Sequence, residues 1–295
     1  MSKFKRGLGP LLGNLKNEEL FKNKLKKDVE NKIVFFAIRG GECSFYLSGC
    51  TLFTYKNFTF STHQEYGFVS RGKPKDYITE FDLAGMEIED SFENGYEKIK
   101  KRTELFAKVE AKGVSELYKF SAPASDRNEQ YFLVDIEVAL STPDNYKKSD
   151  KERTATNQID ILLYDNTNRK LLFCEAKHFS NQEIWPGKTK HDVIGQLDRY
   201  NRLIAKHKND ILDGYAKAFD EYNELFKCNL QPPQTVHDKC GLLIFGFNTP
   251  QRERLKSMLK AEDSFLNHNY KIIGDIGDNA KKYNTVKTVF KELSK

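Results

Sequence analysis

Two carboxylates and one ammonium stand where this chain would be expected to place only apolar side chains. Glu175 and Lys177 interrupt the run Lys170-Leu171-Leu172-Phe173-Cys174-Glu175-Ala176-Lys177, and Asp160 interrupts Gln158-Ile159-Asp160-Ile161-Leu162-Leu163-Tyr164-Asp165. Both runs read as strands, and Asn166-Thr167-Asn168 between them is a turn, so a hairpin is expected. Alternation along a strand puts Glu175 and Lys177 on one face and Cys174 and Ala176 on the other. Left unpaired in a core, such charges are costly. Two adjacent carboxylates repel each other unless a hard cation lies between them, and Mg²⁺ accepts a few oxygen ligands while keeping several waters. A metal so held can orient a phosphodiester, offset developing charge and acidify a bound water. Lys177 would hold the attacking water or the phosphate. The competing reading of the hairpin alone is an ion pair, with Lys177 bridging to Asp160 or Glu175 and no chemistry at all.

The elements that must position these groups are legible on both sides of the hairpin. Upstream, Tyr131 to Leu140 reads as a strand too apolar for a sheet edge, and residues 94–120 have the spacing of one or two helices. Downstream, a loop with Trp185-Pro186-Gly187 leads into an amphipathic helix from His191 to Lys206, followed by a further helix over 209–226. A strand at 241–247, a helix with Thr249 as N-cap and Pro250 at its first position, and a strand at 270–274 complete this half. Strands alternating with helices imply a mixed or parallel α/β sheet. The first 30 residues read as a basic, partly helical lead-in, and Ile33 to Phe60 as a hairpin or small antiparallel sheet turning at Arg39-Gly40-Gly41-Glu42.

Asp160, followed after 14 intervening residues by Glu175-Ala176-Lys177, resembles the D…ExK signature of the PD-(D/E)XK nuclease superfamily. Gln196-Leu197-Asp198-Arg199-Tyr200, on the next helix, resembles the QxxxY motif of RecB-like members. Four residues apart, Gln196 and Tyr200 share a helix face and could reach the phosphate or the lysine; taken alone, the pair is an ordinary helix with a half-buried tyrosine. The resemblance covers roughly residues 94–247 and departs from the pattern at Ile159, where the family often has Pro. It implies a restriction-endonuclease-like α/β core, with a central mixed β-sheet flanked by helices, over residues 93–295. Residues 1–92 would form a small β-rich accessory region. It further implies that Asp160 and Glu175 bind Mg²⁺, with Mn²⁺ as a substitute, and that Lys177 is catalytic. The Ala176 backbone carbonyl and Glu137 are further candidate ligands. Glu137 lies between Ile136 and Val138, on the strand face it shares with Asp135, where a charge needs a reason; Glu116 on the preceding helix is its rival.

Composition allows this chemistry without demanding it. The chain has 295 residues and a net charge of +6, with cations clustered at 22–27, 98–102 and 147–153, where they could release counterions from a phosphate backbone or simply form solvated faces. Apolar runs are too short to span a membrane, no secretory leader is expected at the basic N-terminus, and five cysteines without a CxxC pair suit reduced thiols in the cytoplasm. Cys228, His237 and Cys240 would supply three zinc ligands where a structural site needs four. Gly7-Leu8-Gly9 follows no strand and no GKS or GKT occurs, which argues against a P-loop. A glycosidase would want aromatic platforms beside its acids, and only Trp185 offers one. His178 and His191 flank the site as nucleic-acid contacts or as bystanders. The expected function is metal-dependent hydrolysis of phosphodiester bonds, of DNA first, in restriction, repair or defence, by a possible homodimer cutting both strands. The alternative is a catalytically inactive module of the same fold that binds nucleic acid or a protein.

Overall fold

The computed structural model describes residues 4–67, 77–83, 90–125, 129–140, 157–185, 193–262, 265–276 and 285–295. The chain is α/β and forms two compact units, each discontinuous in sequence: Arg6–Asn128 with Tyr215–Leu230, and Met1–Lys5 with Glu129–Gly214 and Gln231–Lys295. Compactness therefore groups residues differently from a division after residue 92, since the helices of 96–121 belong with the N-terminal sheet.

The first unit contains an antiparallel sheet of five strands in sequential order: β1 (Phe35–Ile38), β2 (Glu42–Leu47), β3 (Cys50–Lys56), β4 (Thr59–His63) and β5 (Tyr77–Thr79). The expected turn at 39–42 joins β1 to β2, and Ser48 and Gly49, both at positive φ, join β2 to β3. The lead-in is helical as anticipated: α1 (Leu11–Leu15), a π-helical turn at Phe21–Leu25 and α2 (Lys26–Glu30). Two helices follow the sheet, α3 (Tyr96–Glu104) and α4 (Val109–Ser121). An aromatic core holds the unit: Phe36 packs on Phe45, Tyr222 and Phe226 with ring centroids 5.0, 5.7 and 5.3 Å apart. Buried acids here have donors, as burial requires. Asp28 accepts from Tyr96 Oη at 2.9 Å and Lys100 Nζ at 2.6 Å, and Glu221 accepts from the backbone N–H groups of Leu8 and Gly9 at 2.5 and 3.0 Å.

The second unit is built on a mixed sheet. β6 (Tyr131–Ala139), β7 (Gln158–Asp165) and β8 (Lys170–His178) form an antiparallel meander, and β10 (Gly241–Phe245) and β11 (Tyr270–Ile273) add to it in parallel, giving the order β11-β10-β8-β7-β6. The short β9 (Thr235–Val236) pairs with the start of β8. A single helix, α5 (Val193–Phe226), replaces the two anticipated over 191–206 and 209–226. The polar junction Lys206-His207-Lys208-Asn209 contains neither Gly nor Pro, so nothing in it stops a helix. α6 (Thr249–Ala261) starts one residue earlier than anticipated: Asn248 is the N-cap, accepting from Gln251 N at 3.0 Å while Gln251 Oε1 accepts from Asn248 N at 2.9 Å. This reciprocal capping box leaves Thr249 as the first helical residue, with Pro250 after it. α7 (Thr285–Leu293) lays Phe290 against Tyr131 of β6, with ring centroids 5.4 Å apart. Among the described residues no helix is long and apolar enough to cross a membrane.

Candidate active site

β8 is hydrogen-bonded on both edges, to β7 and to β10, and its residues 171–177 are buried without a break. Both faces of such a strand are covered, which is why its sequence is apolar almost throughout. Cys174 and Ala176 are inaccessible, while Glu175 and Lys177, on the other face, are 3% and 7% exposed. The ladder between β7 and β8 ends at the pair Ile161–Cys174. One step further, the Ala176 N–H donates to the Asp160 carboxylate at 2.8 Å. Asp160 thereby satisfies an amide that a continued ladder would have used, and it lies close enough to Glu175 to act on its carboxyl.

Lys177 is clamped from two sides. Its Nζ is 2.8 Å from Glu175 Oε1 and 2.8 Å from Glu183 Oε2. Glu183 sits on the 3-10 turn Gln182–Ile184, whose cap is Asn181 Oδ1 accepting from Glu183 N at 3.0 Å. The same Glu183 oxygen accepts from Gln196 Nε2 at 3.1 Å. Because Glu183 can only accept, the orientation of the Gln196 amide is fixed with its nitrogen toward Glu183. Asp160, Glu175 and Lys177 thus come together, and Gln196 joins them through Glu183. Tyr200, four residues on, donates instead to the Gln158 carbonyl at 2.8 Å, tying α5 to the start of β7 beside Asp160.

The electrostatics follow from burial. Desolvation pushes the Glu175 carboxyl above the usual glutamate range, opposed by the charge and hydrogen bond of Lys177. Burial alone would lower Lys177, but the Glu175 charge and the hydrogen bonds from Glu175 and Glu183 outweigh it and hold the ammonium above its ordinary value. Burial, then the charges of Glu175 and Asp160, push the Tyr200 phenol up. Two buried acceptors here, Glu175 Oε2 and Gln196 Oε1, have no hydrogen-bond partner among the described residues. Each such atom costs roughly 1–3 kcal/mol, and unsatisfied acceptors next to paired carboxylates are what a hydrated cation would complete. The residues present fit a Mg²⁺ ion in that sense: one or two carboxylates, a backbone carbonyl such as that of Ala176, and otherwise water. Among the described residues no cluster of three or more His, Cys, Asp or Glu side chains is gathered for a metal.

Other candidates fall as follows. Glu137, between Ile136 paired with Ile161 and Val138 paired with Ile159, is exposed and has φ +52°, whereas Asp135 is 1% exposed. The left-handed residue and a bulge between Leu133 and Asp135 break the simple alternation that put both acids on one face. Glu116 belongs to the other unit, where it pairs with Lys119 at 2.6 Å. His178 Nδ1 is 2.8 Å from Ser180 Oγ, and its ring packs against Phe245 and the backbone at Gly246. Trp185 donates to the Phe179 carbonyl at 3.1 Å and carries the Arg254 guanidinium 4.6 Å above its ring. Of the basic runs, Lys22 pairs with Glu19 and Lys100 with Asp28. Lys147 to Arg153, Pro186-Gly187 and His191 lie outside the described residues. Glu183 was not singled out from sequence, because an acid in a polar loop breaks no pattern. Compared with family models, with curated proteins and with solved structures, the chain matches none.

Proposed function

We propose that this chain is a metal-dependent nuclease of the PD-(D/E)XK type, hydrolysing phosphodiester bonds, of DNA first, in restriction, repair or defence. The observation that carries the reading is the Glu175 carboxylate, almost wholly buried, with one oxygen held by Lys177 and the other without a partner among the described residues, beside Asp160. A structural ion pair has no need of a second carboxylate and an unsatisfied oxygen. The central mixed sheet flanked by helices is consistent with a restriction-endonuclease-like core.

In this reading Asp160, Glu175 and the Ala176 carbonyl hold Mg²⁺ or Mn²⁺, and Glu137, beside Asp160 on β6, is the auxiliary acid. Bound there, the ion would polarise the phosphate and lower the pKa of a water. Lys177 keeps its proton at neutral pH and serves as a fixed donor to the attacking water or a phosphate oxygen. Glu183 aims that ammonium and anchors Gln196, and Tyr200 fixes the helix that bears Gln196. A homodimer would place two such centres on a duplex.

The test is plasmid nicking with Mg²⁺ or Mn²⁺ by the wild type and by Lys177→Ala and Lys177→Met, with folding checked by circular dichroism. Cleavage by the wild type that falls at least about 100-fold in both variants is the expected result. Metal-dependent cleavage that persists unchanged in the variants would overturn the site. A folded wild type that cleaves neither DNA nor RNA with either metal would overturn the enzyme reading and leave a binding module of the same fold.

A further inference from the structure

A second feature lies at the same end of the sheet. β8, β10 and β11 run parallel, and Lys177 is level with Ile244, so the chain leaving β10 at Phe247 lies just past the level of the candidate site. There a cavity of about 490 Å³ is lined by Asn248, Thr249 and Arg252 from the start of α6, Lys271 to Gly274 from β11 and just beyond, and Thr285 and Thr288 from the start of α7. Crevices beyond the carboxyl ends of parallel strands are where α/β sheets commonly take ligands.

The chemistry of this cavity is that of an anion site. The first turns of two helices meet there, of 13 and 9 residues, and neither has an acidic residue in its first turn. The start of α6, capped at Asn248, carries partial positive charge. On α6 the Gln251 N–H is already taken by Asn248 and Pro250 has none, so the cations Arg252 and Lys271 must do more of the holding there. Among the described residues that line it none is acidic; Glu292 feels the charge of Lys271 but is not one of them. Independently, Thr285 is 5% exposed and its hydroxyl oxygen has no hydrogen-bond partner among the described residues. A hydroxyl so buried ordinarily finds one.

We propose that this cavity is a phosphate-binding subsite that seats a backbone phosphate of the nucleic-acid strand whose scissile phosphodiester lies at Lys177. Two sheet spacings separate β8 from β11, about 10 Å, so a phosphate seated there lies within a few nucleotides of the scissile one. The phosphate chemistry stands on the cavity itself; its assignment to the strand being cut rests on the nuclease reading above. Arg252 and Lys271 neutralise the phosphate, Thr249, Thr285 and Thr288 offer hydroxyl donors, and a strand gripped there is held in register with the cleavage centre.

The experiment uses the full chain in EDTA, so that cleavage plays no part, and a fluorescein-labelled 12-nucleotide DNA followed by anisotropy between 50 and 200 mM salt. Arg252→Gln/Lys271→Gln is expected to weaken binding at least about 10-fold and to lower the salt slope by about two charges; Lys260→Ala, exposed on α6 but outside the cavity, should change neither. Thr285→Val should keep the melting temperature, since its hydroxyl bonds nothing among the described residues, yet weaken binding. Inorganic phosphate at 10 mM should compete with DNA on the wild type and not on the double variant. If phosphate binding, read by calorimetry, depends on Arg252 and Lys271 while DNA binding does not, the site takes a free phosphate or nucleotide and the backbone assignment is overturned. If neither depends on them, the subsite is overturned altogether. A wild type that binds DNA through these residues but never cleaves it would leave the subsite standing while the nuclease reading falls.

Discussion

Lys177→Met tests whether the candidate site is a charged pair held in the core for a metal. The substitution keeps the stem and removes an ammonium whose side chain is 9% exposed. Glu175, with a side chain 4% exposed, then faces Asp160 and Glu183 with no cation. Removing one partner of a buried pair costs about 3–5 kcal/mol. The lower end applies, because Glu183 is 32% exposed and can turn to water, and because Glu175 can take a proton. Burial already raises the Glu175 carboxyl, and without Lys177 it rises further. A raised folded-state value means that the protonated form is favoured by folding. Its contribution is therefore fully present below the unfolded value and is lost as pH rises through the folded one. The deficit of the variant should be smaller at low pH and should grow, by up to about 1.4 kcal/mol per pH unit, once the pH exceeds the wild-type Glu175 value, toward the roughly 3 kcal/mol of a broken buried pair. Urea unfolding in EDTA, repeated as a function of pH, measures it. Adding Mg²⁺ to about 100 times its dissociation constant should return roughly 2.7 kcal/mol, with affinity rising with pH because a protonated Glu175 cannot be a ligand. A variant that unfolds at the wild-type urea concentration at pH 8 would refute the buried charged pair. Stability indifferent to Mg²⁺ in both proteins would refute Asp160 and Glu175 as its holders.

Glu183→Gln should lower kcat about 10-fold with KM little changed, because Lys177 loses its second carboxylate charge and shares only a neutral amide oxygen with Gln196 while the metal pair remains; steady-state cleavage kinetics check the split. Gly246→Ala should destabilise by about 1–2 kcal/mol or more, since Gly246 has φ +79° and its added Cβ would run into the His178 ring; thermal unfolding measures it. Asp28→Asn should cost about 2–3 kcal/mol in urea unfolding at pH 7, through loss of the charged acceptor for Tyr96 and Lys100. In a Lys100→Met background the same change should cost less, because no ammonium is then left unpaired.

What the sequence made legible was local contrast. Asp160, Glu175 and Lys177 stood out because each breaks an apolar strand, and a charge in such a place has few explanations. Gln196 and Tyr200 were legible as a helical pair, but their partners were not: a four-residue interval says which face they share, not that Gln196 meets Glu183 or that Tyr200 meets Gln158. Glu183 itself lies in Ser180-Asn181-Gln182-Glu183, where nothing polar is out of place. The cap of α6 moved from Thr249 to Asn248 because both residue types cap, and only the Gln251 side chain, reaching back, distinguishes them. Glu137 escaped the alternation rule through a left-handed backbone that its flanking residues, Ile136 and Val138, give no hint of.

The interleaving of the two units has a consequence for synthesis and for dissection of the chain. The aromatic core of the first unit needs Tyr222 and Phe226, which the ribosome delivers about 100 residues after α4 has emerged. Until then Phe21 and Phe36 have an unfilled side, so this unit cannot complete its packing co-translationally by itself. For the same reason no single cut yields either unit whole: a fragment ending before residue 215 lacks part of one, and a fragment starting after residue 128 strands Tyr215–Leu230 without the sheet it belongs to. Limited proteolysis should accordingly produce nicked chains that stay associated, rather than a free-standing fragment.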